Sequence, residues 1–173
     1  MSRKKIYKTI CMGVLTLIVP LGLSAQDSSE WRLPTKADLG DNFEWRKENP
    51  ELYLAAKADF NGDGKDDVAR LFINDKENRL GLFVTLTSQK NQTPVLIDTI
   101  EDKKSILGLG VKVAKPGRHK TACGKGYWPC GKGESAVIEI KHSAINLFQS
   151  EGANSYFIWN DETRKMKRIW MSD

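Results

Sequence analysis

Asp59-Phe60-Asn61-Gly62-Asp63-Gly64-Lys65-Asp66-Asp67 runs directly into Val68-Ala69-Arg70-Leu71-Phe72-Ile73, and the join between these two stretches decides the fold. The first stretch places side-chain oxygens at loop positions one, three, five and nine, from Asp59, Asn61, Asp63 and Asp67, around glycines that let the chain turn sharply. A hard cation such as Ca²⁺ takes six to eight oxygens at about 2.3–2.6 Å, and acidic groups on alternate residues of a short loop can point inward together. Lys65 would add its backbone carbonyl. The second stretch alternates and branches like a strand, not like an exiting helix. A helix-loop-helix calcium site also wants a bidentate glutamate at position twelve, where this chain has Arg70. The loop therefore joins strand to strand. A solvated hairpin whose Asp and Gly residues serve turn geometry alone is the competing reading, but four spaced oxygen donors exceed what a turn needs.

Outward from this join the texture stays β-rich. Leu52 to Lys57, Val68 to Ile73, Leu80 to Thr87, Pro94 to Ile100 and Leu107 to Val113 are dense in β-branched and apolar residues. The polar clusters Asn74 to Asn78, Ser88 to Thr93 and Glu101 to Lys104 read as the turns between them. A glycine-rich segment, Pro116 to Gly133, reads as a long surface excursion, after which Ser135 to Ile140, Ala144 to Phe148, Ser155 to Trp159 and Met166 to Met171 read as further strands. Upstream, Trp31 to Pro34 is extended, Thr35 with Asp38 marks a helix start, and Asp41 to Glu48 suits a second short helical stretch that Asn49-Pro50 ends. These elements predict a mainly β (α+β) domain: a mostly antiparallel twisted sheet with a short N-terminal helix packed on it, and no internal repeat.

The first residues bear on compartment. Arg3, Lys4, Lys5 and Lys8 precede an uncharged apolar run, Ile10 to Leu23, and Leu23-Ser24-Ala25 is a small-residue cleavage site. This is the pattern of a secretory signal, residues 1–25, and the run falls short of the ~20 residues a membrane span needs. Its removal takes the chain from 173 to 148 residues, one domain spanning 26–173. It also takes four of the 27 basic residues and none of the 22 acidic ones, so 23 against 22 leaves +1. A near-neutral chain argues against nucleic-acid binding, which wants a clustered basic excess. The expected location is periplasmic or secreted.

Cys123 and Cys130 remain after signal removal, and an even pair in an exported chain favours a disulfide. Closing about eight residues would contribute about 2.5 kcal/mol on the chain-entropy argument. His119 and His142 flank the pair, but the cysteine spacing is wider than zinc-binding pairs use. Within the loop, Gly126 to Gly133 has P-loop spacing, yet Gly133 stands where Ser or Thr must hold Mg²⁺. Tyr127-Trp128-Pro129 places rigid aromatics on a bridged loop, a candidate partner contact. Its alternative is that Trp128 folds back to cover a sheet edge. Trp31, Trp45, Trp159 and Trp170 read as core or strand-pairing residues. No nucleophile elbow, zinc-peptidase helix or paired carboxylates in an apolar setting is visible, so no catalytic residue is assigned.

Ala58 to Ala69 resembles the calcium loop of FG-GAP or VCBS repeats, in which such a loop links two strands of a propeller blade. The resemblance implies metal ligands at Asp59, Asn61, Asp63, Asp67 and the Lys65 carbonyl. It covers about a dozen residues, and one loop does not make a full propeller. Thr121 to Trp128 and the ending Tyr156 to Asp173 resemble small secreted bacterial proteins without assigned function. The expectation is an exported, non-catalytic calcium-binding β module that meets an envelope protein or glycan. The alternative is a small hydrolase or glycan-processing enzyme using His119 or His142.

Overall fold

The computed structural model describes residues 30–40, 46, 49, 51–88 and 92–173. The signal reading at 1–25, Trp45, and the helical stretch expected at 41–48 apart from Arg46 lie outside the described residues. The elements in chain order are β1 Trp31–Arg32, α1 Lys36–Leu39, β2 Ala55–Ala58, β3 Asp67–Asn74, β4 Arg79–Thr85, β5 Val95–Glu101, β6 Leu109–Ala114, β7 Gly117–Lys120, β8 Val137–Ile140, β9 Ala144–Gln149, β10 Asn154–Asn160 and β11 Lys165–Ser172. They confirm a mainly β chain with a short α-helix and open, antiparallel sheets. Among the described residues no helix is long and apolar enough to cross a membrane.

The β-structure divides into two larger sheets and a hairpin, where the sequence suggested one sheet. In the first sheet β3 pairs with β4 and β4 with β5, while β1 and β2 share the other edge of β3. The period-2 pattern of β3 sets its face: Ala69, Leu71 and Ile73 are buried while Arg70 is exposed. Opposite them lie Val84, Leu82 and Leu80 of β4, so each rung adds an apolar pair to one face. The second sheet runs β11-β10-β9-β6, and Val111, Leu147, Ile145 and Phe157 turn inward from it to the same apolar cluster. One core therefore serves both sheets.

The sheets meet where the backbone of Tyr53 and Leu54 is held between them. Leu71 N–H donates to the Leu54 carbonyl at 3.0 Å, and Val111 N–H donates to the Tyr53 carbonyl at 2.8 Å. Gly110 leaves room for this approach: a Cβ there would lie 2.6 Å from the Phe148 ring and 2.9 Å from Tyr53 Cβ. Arg46 closes the junction from below. Its side chain is buried and donates to the carbonyls of Leu52 at 3.0 Å and Leu109 at 2.6 Å, and to that of Ile106. Burial pulls its guanidinium down to about 10.

At the N-terminal end Arg32 donates two bonds to Asp38, at 2.7 and 2.8 Å, and also reaches Asp75, which Lys103 bonds from the other side. Asp38 in turn accepts from the Thr35 N–H and hydroxyl, both at 2.7 Å, which is the expected helix-start arrangement. The Arg32 bonds hold the Asp38 carboxyl well below its ordinary range and Asp75 down to about 2.

Two expectations need correction. Pro116 to Gly133 is not one irregular excursion, because β7 lies within it and pairs with β8. Its inward positions are Gly117 and His119, too polar and too few to register as a strand pattern. The β7–β8 hairpin packs on the outer face of the second sheet, where Ile138 meets Tyr156 and Ile158 around Ile140, Ala114 and Ala144. Likewise Glu101 to Lys104 is not simply a turn. A 3-10 helix covers Lys103–Leu107, capped by the Asp102 carboxylate, and delays β6 to Leu109.

Gly110→Ala is expected to overpack the sheet junction and cost about 1–3 kcal/mol. Urea unfolding would show this as a lower midpoint with unchanged slope.

Candidate calcium loop and the neighbouring disulfide loop

The residues joining β2 to β3 are anchored at both ends before any ligand is considered. Phe60, fully buried in the shared core, fixes one end. Asp67, also fully buried, fixes the other: its Oδ2 accepts from Phe60 N–H at 3.0 Å and its Oδ1 from Thr87 N–H at 2.9 Å. One carboxylate thus ties the loop entrance, the start of β3 and the chain leaving β4 together.

Between the anchors the backbone wraps around Asp59. Its Oδ1 accepts from the N–H groups of Gly62 and Asp63 at 2.7 and 3.1 Å, and its Oδ2 from Gly64 N–H at 2.8 Å. This wrap needs φ of +78° at Gly62 and +83° at Gly64, which glycine adopts without a Cβ penalty. Asp63 Oδ1 accepts from Lys65 N–H at 2.9 Å, while its Oδ2 accepts from the Asn61 side-chain amide at 2.9 Å. The structure therefore brings Asp59, Asn61 and Asp63 into one turn, with Asp67 at its base. Among the described residues no three His, Cys, Asp or Glu side chains gather closely enough to hold a metal between them. The carboxylates are instead occupied with backbone N–H groups: Asp59 Oδ1 already accepts two, while Asp59 Oδ2 and both Asp67 oxygens accept one N–H each and keep a further lone pair for a cation.

The electrostatics are unbalanced. Burial raises the Asp67 pKa, and the charges of Asp63 and Asp59 add to that rise against the two N–H bonds. Asp63 is lowered by hydrogen bonds from Ser88 and Asn61. The cation Lys57 is 3.3 Å from Asp66, outside the set of candidate donors.

Cys123 and Cys130 form the expected disulfide, so neither is a thiolate for zinc. The bridged loop is fastened to the fold at Ala122, whose N–H donates to the Trp170 carbonyl at 2.9 Å, and at Lys125, whose Nζ donates to the Met171 carbonyl at 2.6 Å. Gly124 passes under the Ala136 carbonyl, where a Cβ would approach to 1.8 Å. Tyr127 is 53 % exposed. Trp128 is half-buried and lines a cavity with Trp170. The two aromatics expected as a joint contact thus divide their roles, one open to solvent and one forming a wall.

His119 and His142 are far from equivalent. His119 bonds the Lys115 carbonyl at 3.0 Å and sits edge-on to Tyr156 at 5.5 Å. His142 packs over the acidic loop, its ring 2.4 Å from where a Cβ on Gly62 would stand. It also lines a cavity of about 360 Å³ with Ser143, Glu139 and Phe60. Nothing in the residue pattern marks this contact, because it joins a loop after β2 to the β8–β9 turn. No family model matches the chain, and no curated protein or solved structure is similar to it.

Replacing Asp67 with Ala would leave the Phe60 and Thr87 N–H groups without their acceptor. At about 1–3 kcal/mol for each unsatisfied group, the expected loss is about 2–6 kcal/mol, read by chemical denaturation in chelator so that any metal contribution is absent.

Proposed function

We propose that the protein is an exported, non-catalytic β module that binds Ca²⁺ through Asp59, Asn61, Asp63, Asp67 and the Lys65 carbonyl, and that its surface meets an envelope protein or glycan. One observation carries the calcium reading. The backbone folds Asp59, Asn61 and Asp63 into one turn with the buried Asp67 at its base; burial foremost, with smaller contributions from the charges of Asp63 and Asp59, raises the Asp67 proton affinity, and a divalent cation using hard oxygen ligands would relieve that crowding. The loop's fixed ends and its two left-handed glycines support the same reading, since a pre-shaped loop loses less entropy on capturing an ion. Capture would require the Asn61 carboxamide to present its oxygen, in place of the amide that now faces Asp63. The resemblance of Ala58 to Ala69 to FG-GAP and VCBS loops points the same way. The disulfide and the signal-like start support export into an oxidising compartment.

A second reading has one supporting observation: the cavity beside the acidic loop holds His142, Ser143 and Glu139 together. A histidine-dependent hydrolase acting on cell-wall polysaccharide would lose its activity in His142→Ala. Retention of that activity in His142→Ala and His119→Ala together would end this reading.

Calcium binding only to the folded state stabilises by RT ln(1 + [L]/Kd), about 2.7 kcal/mol at a hundredfold excess over Kd. Calorimetry of the mature, oxidised protein should show a rise in Tm with Ca²⁺, and Asp63→Ala should remove it. An unchanged Tm across the titration would defeat the metal reading.

The same shift should depend on pH. Metal ligands must be ionised, and the folded metal-free protein holds the Asp67 proton at a higher pH than the unfolded chain does. Proton uptake on acidification therefore favours the metal-free folded form. The calcium-dependent gain in Tm is expected to be full near neutrality and to fall as pH drops through that raised value, before ordinary aspartates titrate.

A further inference from the structure

The β7–β8 hairpin and its bridged loop are basic, on a body that is not. Residues 112–141 hold seven Lys and Arg against two carboxylates, Glu134 and Glu139, which leaves +5. Residues 26–173 together carry +1, so the rest of that span carries −4. The fold also leaves these cations over. Elsewhere Arg32, Lys57, Lys76, Arg79, Lys103 and Arg168 each stand within 3.6 Å of a carboxylate. Among the described residues no cation of 112–141 does. Lys125 donates to the Met171 carbonyl at 2.6 Å, and Lys112 lies 4.7 Å from the centre of the Phe148 ring. Lys115, Arg118, Lys120 and Lys132 are exposed, and their side chains have no hydrogen-bond, ion-pair or ring partner among the described residues.

Strand alternation places the central pair. In β7 His119 turns in against Tyr156, and in β8 Ile138 and Ile140 pack on the second sheet. Arg118 and Lys120 therefore occupy the opposite, solvent face of the hairpin. Two residues apart on an extended strand, they stand about 6–7 Å from each other. Across from them are Glu139 and Val137, so one carboxylate offsets Arg118 and an apolar group faces Lys120. Glu134 is tied into the bridged loop, where it accepts from Gly131 N–H at 2.8 Å. Lys115 precedes β7 and Lys125 follows it, so cations recur along the whole strand. The β8 flank differs, because Lys141 there shares the cavity beside His142 with Glu139, Asp161 and Glu162.

We propose that the solvent face of β7, continued into the bridged loop, docks a linear acidic polysaccharide. This deepens the glycan side of the binding reading above, rests on its export, and does not involve the calcium loop. A repeating anion laid along β7 meets Lys115, Arg118, Lys120 and the loop lysines in turn. Being thin, it touches the basic flank without approaching the carboxylates on the β8 side. Exposed cations without a carboxylate partner raise the local concentration of such a chain and speed its capture.

Other polyanions are less well served. An anionic bilayer wants a continuous apolar face beside the cations. Tyr127 and Val137 are the large apolar side chains this segment exposes, one in the loop and one in mid-strand. A folded acidic protein wants a desolvated apolar anchor at the centre of its interface, and on the face of Arg118 and Lys120 the apolar group is Val137 alone. Export separates the surface from nucleic acid.

The test titrates the mature, oxidised protein with decasaccharides of polygalacturonate and of a sulfated glycosaminoglycan, in chelator so that no calcium bridge can form. Maltodecaose, phosphatidylglycerol vesicles, an oligoglutamate and a DNA duplex serve as comparators, and backbone amide shifts are followed by NMR. Saturable shifts concentrated in residues 115–132 are expected with at least one acidic decasaccharide, weakening as salt rises from about 0.05 to 0.3 M. Maltodecaose should produce none. Arg118→Gln with Lys120→Gln should weaken binding by about tenfold or more, two ionic contacts being lost. Arg164→Gln with Lys165→Gln removes the same charge at the exposed β10–β11 turn and should change binding less than about twofold. Amide shifts of the unaltered protein locate the surface even if a variant misfolds. No shift at about 1 mM acidic decasaccharide in low salt, equal weakening by the two variant pairs, or tighter binding of vesicles, oligoglutamate or duplex would overturn the proposal. Decasaccharide binding without a calcium-dependent Tm shift would remove the metal reading and keep this surface; the reverse pattern would remove this surface alone.

Discussion

The Asp67 carboxylate, fully buried and accepting N–H bonds from Phe60 and Thr87, is the constraint on which the first sheet and its loop both depend. A buried charge is costly unless its lone pairs are used, and here they are used to close the chain on itself. The six residues between Phe60 and Asp67 cannot drift, because one end is in the core and the other is bonded back to it. What reads in sequence as the last donor of a loop is, in the fold, the fastening that holds that loop against β3 and β4.

The same economy operates at the sheet junction. Two sheets sharing a core need an element that satisfies backbone groups on both, and Tyr53 and Leu54 provide it by accepting from Val111 and Leu71. Tyr53 does so with φ of +62°, an unusual conformation for a bulky residue, held by the Phe148 ring at 5.3 Å and by the missing side chain at Gly110. Arg46 then supplies donors to carbonyls at the junction. These are polar and steric devices at the boundary of an apolar core, and they determine how the sheets meet while burial determines that they do.

This division explains what could be read from the sequence. The strands were legible because β3, β4, β9 and β10 carry period-2 or β-branched runs dense enough to stand out, and the ends fell within a few residues of those expected. The helix start at Thr35 was legible from Asp38, whose carboxylate does bond the Thr35 N–H. The disulfide was legible from parity and context. The split into two sheets was not, because alternation marks a strand's faces and says nothing about which strand it neighbours. Strand β7 was hidden because His119 is the one large inward side chain it has. The acidic loop's composition was plain, but the capture of its carboxylates by Gly62, Asp63, Gly64 and Phe60 N–H groups is a property of backbone path, which spacing alone does not encode.

His142 shows why the site extends beyond the loop that first drew attention to it. Its ring occupies the space that any side chain at residue 62 would need, so the glycine serves the turn and the packing at once. Through that contact the acidic loop backs the wall of the neighbouring cavity, which His142 and Phe60 line. The two features most visible in the sequence, an acidic loop and a cysteine pair, are each fastened to the strands by hydrogen bonds to backbone groups.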